Sequence, residues 1–258
     1  MPLFDTHAHL DQSEFDDDRP IVIERAVEAG VAQIIAVGTT ADSSQACLDL
    51  AAKYPQTVRA AVGIQPNYCA QAAPGDWQRI VEMAGRPGVL ALGETGLDRH
   101  WDYSPFDVQQ DYFDRHLRLS QERGLPFIVH TRESDGDVLA VLREARRRGP
   151  LAGVMHSYTG TAETVHECVA LGLYISFAGM VTFKNAAELR SVAQTVPDDR
   201  ILIETDSPYL SPHPLRGRRN EPAHLVYTAE CLARERGVPL AEFIRQTDKN
   251  ARRLFGTK

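Results

Sequence analysis

Only four cysteines occur in the 258 residues, Cys47, Cys69, Cys168 and Cys231, and no two of them make a C-x-x-C pair. That spacing excludes a zinc knuckle and a disulfide-stapled scaffold, and it fits a reducing compartment. No uninterrupted apolar run approaches the roughly 18 residues that a membrane span needs. The N-terminal MPLFDTHAHL lacks the basic n-region and apolar h-region of a signal peptide. A cytoplasmic chain without membrane contact is therefore expected. Positive charge is also scarce: 28 Lys and Arg stand against 35 Asp and Glu, a net charge of −7. A broad electrostatic clamp on nucleic acid is excluded, because affinity for a polyanion rests on many cationic contacts; any nucleic acid has to be gripped locally. Low-complexity linkers and repeats of solenoid period are missing too, so residues 1–258 read as one domain, and nothing implies an obligate protein partner.

What the chain does have is 43% hydrophobic residues arranged in a regular alternation. Short β-branched runs are expected to form strands at Leu3–Thr6, Ala32–Val37, Val58–Val62, Val89–Leu92, Phe127–Val129, Gly153–Met155, Leu173–Ser176 and Ile201–Ile203. Segments of helical period fall between them. Ser104-Pro105 opens one that carries Tyr112, Phe113 and Leu117 and stops at Gly124; Glu221-Pro222 opens another that carries Leu225, Ala229 and Leu232 and stops at Gly237. Eight βα units in about 250 residues match an α/β fold of the (β/α)₈ TIM-barrel type, although an open doubly wound sheet has the same local pattern.

The positions of the metal-ligating residue types favour the barrel over the open sheet. His7 and His9 follow the first strand, Glu94 the fourth, His130 the fifth, His156 the sixth and Asp206 the eighth. All six fall at carboxyl ends, and a barrel gathers such positions at one mouth. In extended backbone, residues two apart share a side, so His7 and His9 can chelate one ion while Ala8 turns away. Glu94 follows an apolar strand, where a bare carboxylate is costly without a cation or a donor, and its two oxygens can bridge two ions. His130 and His156 complete the second ion's ligands. Neutral imidazoles suit Zn²⁺, Mn²⁺, Fe or Co more than Mg²⁺. Asp206 is expected to ligate the first ion and to accept a proton from water acidified there, so Asp206 and Glu94 are the catalytic candidates. Glu204, two residues before Asp206, is assigned to packing or to support of a ligand.

Cations also cluster locally. The loop HPLRGRRNEP supplies Arg216 and Arg218 at the same end of the barrel, and guanidinium groups match phosphate oxygens in bidentate geometry, so these two are the candidate substrate-binding residues. Arg146, Arg147 and Arg148 instead end a helix after the fifth strand, where cations complement the helix terminus on the face away from the site. Tyr158, Phe183 and Tyr209 are placed either to stack on a base or to pack.

These residues resemble the TatD family of metal-dependent deoxyribonucleases in the amidohydrolase superfamily. The likeness runs through DTHAHLD at 5–11, GETGLD at 93–98, IVHTRE at 128–133, HSYTG at 156–160, ETDSPYL at 204–210, HPLRGRRNEP at 213–222 and NARRLFG at 250–256. The resemblance implies a (β/α)₈ fold, two divalent metal ions on the six residues named, Glu94 bridging them, and hydrolysis of phosphodiester bonds in DNA, often as a 3′-to-5′ exonuclease. Some related barrels bridge their ions with a carbamylated lysine, but here Lys53, Lys184, Lys249 and Lys258 all lie away from early strand ends. One departure stands out. Where the family often has histidines in a G-[IV]-H-P-H segment after the third strand, this chain has GIQPN, with Gln65 and Asn67 in their place.

Two rival functions remain. A hydrolase of a small ester, an amide or another phosphoester would use the same site, and turnover of such substrates against release of nucleotides from DNA separates the two. A non-catalytic binding module on an inactive barrel would ordinarily lack a ligand, and none of the six is missing.

Overall fold

Each of the eight apolar runs becomes a parallel strand of one sheet. The computed structural model, which describes residues 2–257, orders them β1 (Leu3–Ala8), β2 (Val31–Val37), β3 (Val58–Val62), β4 (Val89–Asp98), β5 (Phe127–Arg132), β6 (Gly153–Met155), β7 (Leu173–Phe177) and β8 (Ile201–Ile203), each paired with the next. Between and after them lie α1 (Arg19–Glu28), α2 (Ala41–Lys53), α3 (Asp76–Met83), α4 (Phe106–Arg123), α5 (Asp135–Arg148), α6 (Ala162–Leu171), α7 (Ala187–Thr195), α8 (Leu225–Glu235) and α9 (Leu240–Phe255). The two expected helix openings hold: α4 begins after Pro105 and ends at left-handed Gly124, and a 3₁₀ turn at Pro222–His224 leads into α8. Among the described residues, no helix is long and apolar enough to cross a membrane.

Three strands overrun their expected ends by two residues or more. β1, β4 and β5 continue through His7, Glu94 and His130, so these side chains sit inside strands and not just after them. Hydrophobicity marks only the apolar stretch, whereas main-chain pairing carries the strand on through its polar end.

Side-chain alternation divides the core into two layers. Phe4, Ile35, Ala61, Ala91, Ile128, Val154, Tyr174 and Leu202, one from each strand, join Ala251, Leu254 and Phe255 of α9 in an inner cluster. The alternate residues, such as Ile34, Leu92, Val129 and Ile175, pack outward with the helices. Phe255 approaches Phe4 with ring centroids 6.0 Å apart. A buried ring of this kind stabilises by about 2–3 kcal/mol. Asn250 explains the polar start of the terminal NARRLFG: its amide donates to the carbonyls of Asp198 and Ile201, 2.8 and 2.9 Å away, and so fixes α9 against the start of β8.

The ring closes between the polar ends of β1 and β8. Asp206 N donates to His7 O at 2.9 Å, and His9 N donates to Ser207 O at 2.7 Å. Asp5 clasps the joint, accepting from Thr205 N at 2.9 Å, Thr205 Oγ1 at 2.6 Å and His7 N at 3.3 Å. Burial pushes the Asp5 carboxyl up to about 7, against those hydrogen bonds, which favour its ionised form. The structure is thus a (β/α)₈ barrel, as the sequence pattern leads one to expect, with the strand ends at one mouth.

Candidate metal centre

The GETG segment of β4 shapes the floor of this mouth. Gly93 and Gly96 have φ of 136° and 132°, and a Cβ at Gly96 would lie 2.0 Å from the carbonyl oxygen of His130. Only glycine lets β4 pass β5 so closely, and the passage sets Glu94, 3% exposed, among the imidazoles. Asp206 also has unusual backbone, with φ of 55°. A left-handed non-glycine residue costs about 1 kcal/mol, and here the bonds from Asp206 N to His7 O and from Tyr209 N to Asp206 O hold it in place.

All six expected ligand residues converge. Oε1 of Glu94 lies 2.8 Å from His130 Nδ1 and 3.1 Å from His156 Nε2. Its other oxygen, Oε2, lies 3.6 Å from His7 Nε2 and 3.5 Å from His9 Nε2. Asp206 Oδ1 faces the same two histidines at 3.7 and 3.4 Å. Three sets of ligand atoms each fall within 4.8 Å of one another: His7, His9 and Glu94; Glu94, His130 and His156; His7, His156 and Asp206. Glu94 therefore serves two groups, one with each oxygen.

The outer nitrogens of three imidazoles are engaged in a way that suits cation binding. His9 Nδ1 donates to Val37 O at 3.0 Å, His130 Nε2 to Asp98 Oδ2 at 2.9 Å and His156 Nδ1 to Glu204 Oε1 at 3.2 Å. With one proton held outside, loss of the inner proton would leave each ring with a lone pair on the side of Glu94 or Asp206, free for a cation. His7 and His9 bring their Nε2 atoms within 3.1 Å of each other. Two lone pairs at that distance repel unless a proton or a cation lies between them, so the donor set fits a metal.

The local charge follows the same plan. Burial disfavours the Glu94 carboxylate, but the neighbouring His156 and His130 outweigh it and hold Glu94 well below the usual carboxylate range. Burial alone would lower His156, His130 and His9; facing carboxylates raise all three, His9 to about 9. His7, buried and among other imidazoles, is driven well below its ordinary value. A bound divalent cation would take the place of these protons.

Asp98, at the end of GETGLD, is the residue that sequence reasoning passed over. Burial would raise its carboxyl, yet His130 and the Trp101 amide hold it down at about 2. The available signal was spacing: in a strand, 94, 96 and 98 share a side. Glu204 proves to support His156, and it also accepts from Ser157 N at 2.6 Å. Asn67, one of the two departures after β3, donates to Asp98 Oδ2 at 3.2 Å, while Gln65 Oε1 accepts from Asn67 N at 2.8 Å.

Arg216 and Arg218 lie on the exposed loop after β8, at the mouth but outside the ligand cluster. The Arg216 guanidinium covers the Phe183 ring at 4.0 Å, which leaves Phe183 as its support and not as a free stacking face. The neighbouring Arg219 is committed to Asp18 at 2.7 Å. Tyr158 is buried at 1% exposure and donates to Thr161 O, so it packs, whereas Tyr209 is exposed beside His9. Arg147 and Arg148, at the end of α5, pair with Glu144 and Asp114 away from the site.

Comparison with known proteins agrees with this geometry. The family described as TatD related DNase matches residues 4–256. The metal-dependent hydrolase YabD of Bacillus subtilis is 41% identical over 253 residues, covering 98% of each chain. The 3′-5′ ssDNA/RNA exonuclease TatD of Pectobacterium carotovorum is 36% identical over 258 residues, covering 98% of this chain and 99% of its own. The crystal structure of YjjV, a TatD homologue from Escherichia coli K12, superposes with a TM-score of 0.92 at 29% identity, covering 99% of this chain and 98% of that one. With these matches spanning the barrel and its mouth, the chain belongs to the TatD family of metal-dependent hydrolases.

Proposed function

We propose that this protein hydrolyses phosphodiester bonds in DNA, removing nucleotides from the 3′ end, at a centre that holds two divalent ions. His7, His9, Glu94 and Asp206 hold one ion; Glu94, His130 and His156 hold the other. The observation that carries this reading is the division of the Glu94 carboxylate, with Oε1 toward His130 and His156 and Oε2 toward His7 and His9. A single ion would leave one of these groups without a partner. When bound, the ions, drawn from Zn, Mn, Mg, Fe or Co, acidify water and offset charge on phosphoryl oxygens. The Asp206 carboxylate, at the rim of the cluster and 9% exposed, accepts the proton of the attacking water. Asp98 and Glu204 keep the protons of His130 and His156 on their outer nitrogens. Arg216 and Arg218 grip substrate phosphates, since no carboxylate among the described residues pairs with either of them. Support for DNA as substrate comes from this loop and from the relative named as a 3′-5′ exonuclease.

The test is a time course on single-stranded DNA labelled at its 5′ end. The expected product is a ladder that shortens from the 3′ end, stops on chelation and resumes when metal is restored. Efficient turnover of simple esters or amides without release of nucleotides would instead select a small-molecule hydrolase.

A further inference from the structure

One part of the mouth is not used by the metal centre. Trp101 and Tyr103, in the segment after β4, are 41% and 55% exposed and stack on each other, with centroids 5.4 Å apart and planes 10° from parallel. The Arg132 guanidinium lies 5.6 Å from the centre of the Trp101 ring. Its neighbour Arg99 is neutralised by Asp137 at 2.7 Å, but no carboxylate pairs with Arg132 among the described residues. Exposed flat rings beside an unneutralised guanidinium are the components of a site for unpaired bases, which stack on aromatic faces while a cation meets the phosphate.

The platform is also held rigidly to the catalytic cluster. Asp98 Oδ1 accepts from His100 N at 2.8 Å and from Trp101 N at 3.0 Å, while its Oδ2 accepts from His130. Gln109 pins the segment from beneath, accepting from Asp98 N at 2.8 Å and donating to Ser104 O at 3.0 Å. A preformed face costs little ordering on binding. In the order β1 to β8, β4 and β8 lie on opposite sides of the ring, so the Trp101 platform and the Arg216 loop flank the cluster. A single strand crossing the mouth would stack on one rim and be held by its phosphates on the other.

We infer that Trp101, Tyr103 and Arg132 form a subsite that stacks one unpaired nucleobase of the substrate strand and holds its phosphate. The inference rests on the phosphodiesterase reading for its catalytic consequence, but binding tests it separately. Trp101 is one of two tryptophans in the chain, and the other, Trp77, packs against Tyr112 and His116. Titration with a phosphorothioate-linked oligothymidylate, which resists hydrolysis, should quench tryptophan emission in the wild type and in Trp77→Phe, and the quench should vanish in Trp101→Phe. In steady-state cleavage, Trp101→Ala should raise KM for single-stranded DNA by about 5- to 100-fold, with Trp101→Phe recovering most of the loss. Wild type should also favour an ordinary strand over one with an abasic nucleotide placed in turn near the 3′ end, and Trp101→Ala should lose that preference at one position. A quench that survives in Trp101→Phe, or an unchanged KM in Trp101→Ala, would overturn the subsite. Failure of the wild type to cleave any oligonucleotide overturns the phosphodiesterase reading instead, and the quench titration still decides whether the platform binds bases.

Discussion

Replacing Asp98 by Asn keeps the shape of the side chain and removes its charge, and the structure sets what must then go wrong. The carboxylate accepts four hydrogen bonds: from His130 Nε2, Asn67 Nδ2, His100 N and Trp101 N, at 2.9, 3.2, 2.8 and 3.0 Å. An amide has only one accepting atom. If its oxygen faces the two backbone donors, its NH₂ group is turned on His130, and the ring proton moves to Nδ1, the nitrogen beside Glu94. If the oxygen faces His130, the NH₂ group meets two N–H donors and the turn at 100–101 loosens. Loss of such an outer partner of a metal-binding histidine typically costs 10- to 100-fold in affinity, about 1.4–2.7 kcal/mol. Competition against a chromophoric chelator would measure this directly. Wild-type metal affinity in the Asp98→Asn protein would refute the argument that this carboxylate sets the tautomer of His130.

Three further outcomes are expected. Glu94→Gln should lower turnover by at least about 10²-fold and reduce bound metal while circular dichroism stays that of the wild type, since Glu94 serves the mouth and not the packed layers; near-normal activity at saturating metal would rule out its bridging role. Arg216→Ala and Arg218→Ala should each raise KM for single-stranded DNA and flatten the salt dependence of binding by about one counterion, and oligonucleotide kinetics across salt concentrations would show both. Buried His116 is lowered to about 4 by desolvation; its Nε2 accepts from Ile64 N and its Nδ1 donates to Tyr112 O. The unfolded chain, titrating near 6.5, takes up the proton first, so the stability that neutral His116 contributes is full above that pH and falls by about 3 kcal/mol as pH drops toward 4. Urea melts across this range should show the gap between wild type and His116→Gln narrowing with acid.

The sequence carried the barrel and its six convergent residues because both leave periodic traces: apolar runs mark strands, and ligands recur at their carboxyl ends. Asp98 left no such trace. Its role depends on β4 continuing four residues past Glu94, and that continuation depends on glycines that permit close passage, which hydrophobicity does not report. Trp101 and Tyr103 were equally silent, since two aromatics in a polar segment become a platform only once their exposure and mutual angle are known. Tyr158 shows the converse, being close to His156 in sequence yet turned into the core, with its hydroxyl satisfied by Thr161 O.

The clasp between Asp5 and Thr205 joins residues 200 positions apart. His7 and Asp206 meet only across that seam, so no shorter stretch of the chain contains a complete centre. A ligand that needs both recognises the sealed ring and has no purchase on a half-built one. By mass action its binding energy is then shared by the whole barrel, about 2.7 kcal/mol at a hundredfold excess over its dissociation constant. Loading and sealing become a single equilibrium: withdrawing the ligand loosens the seam, and a cut that frees β1 from β8 releases the ligand. A fragment that stops before Asp206, or that starts after His9, therefore lacks part of the centre.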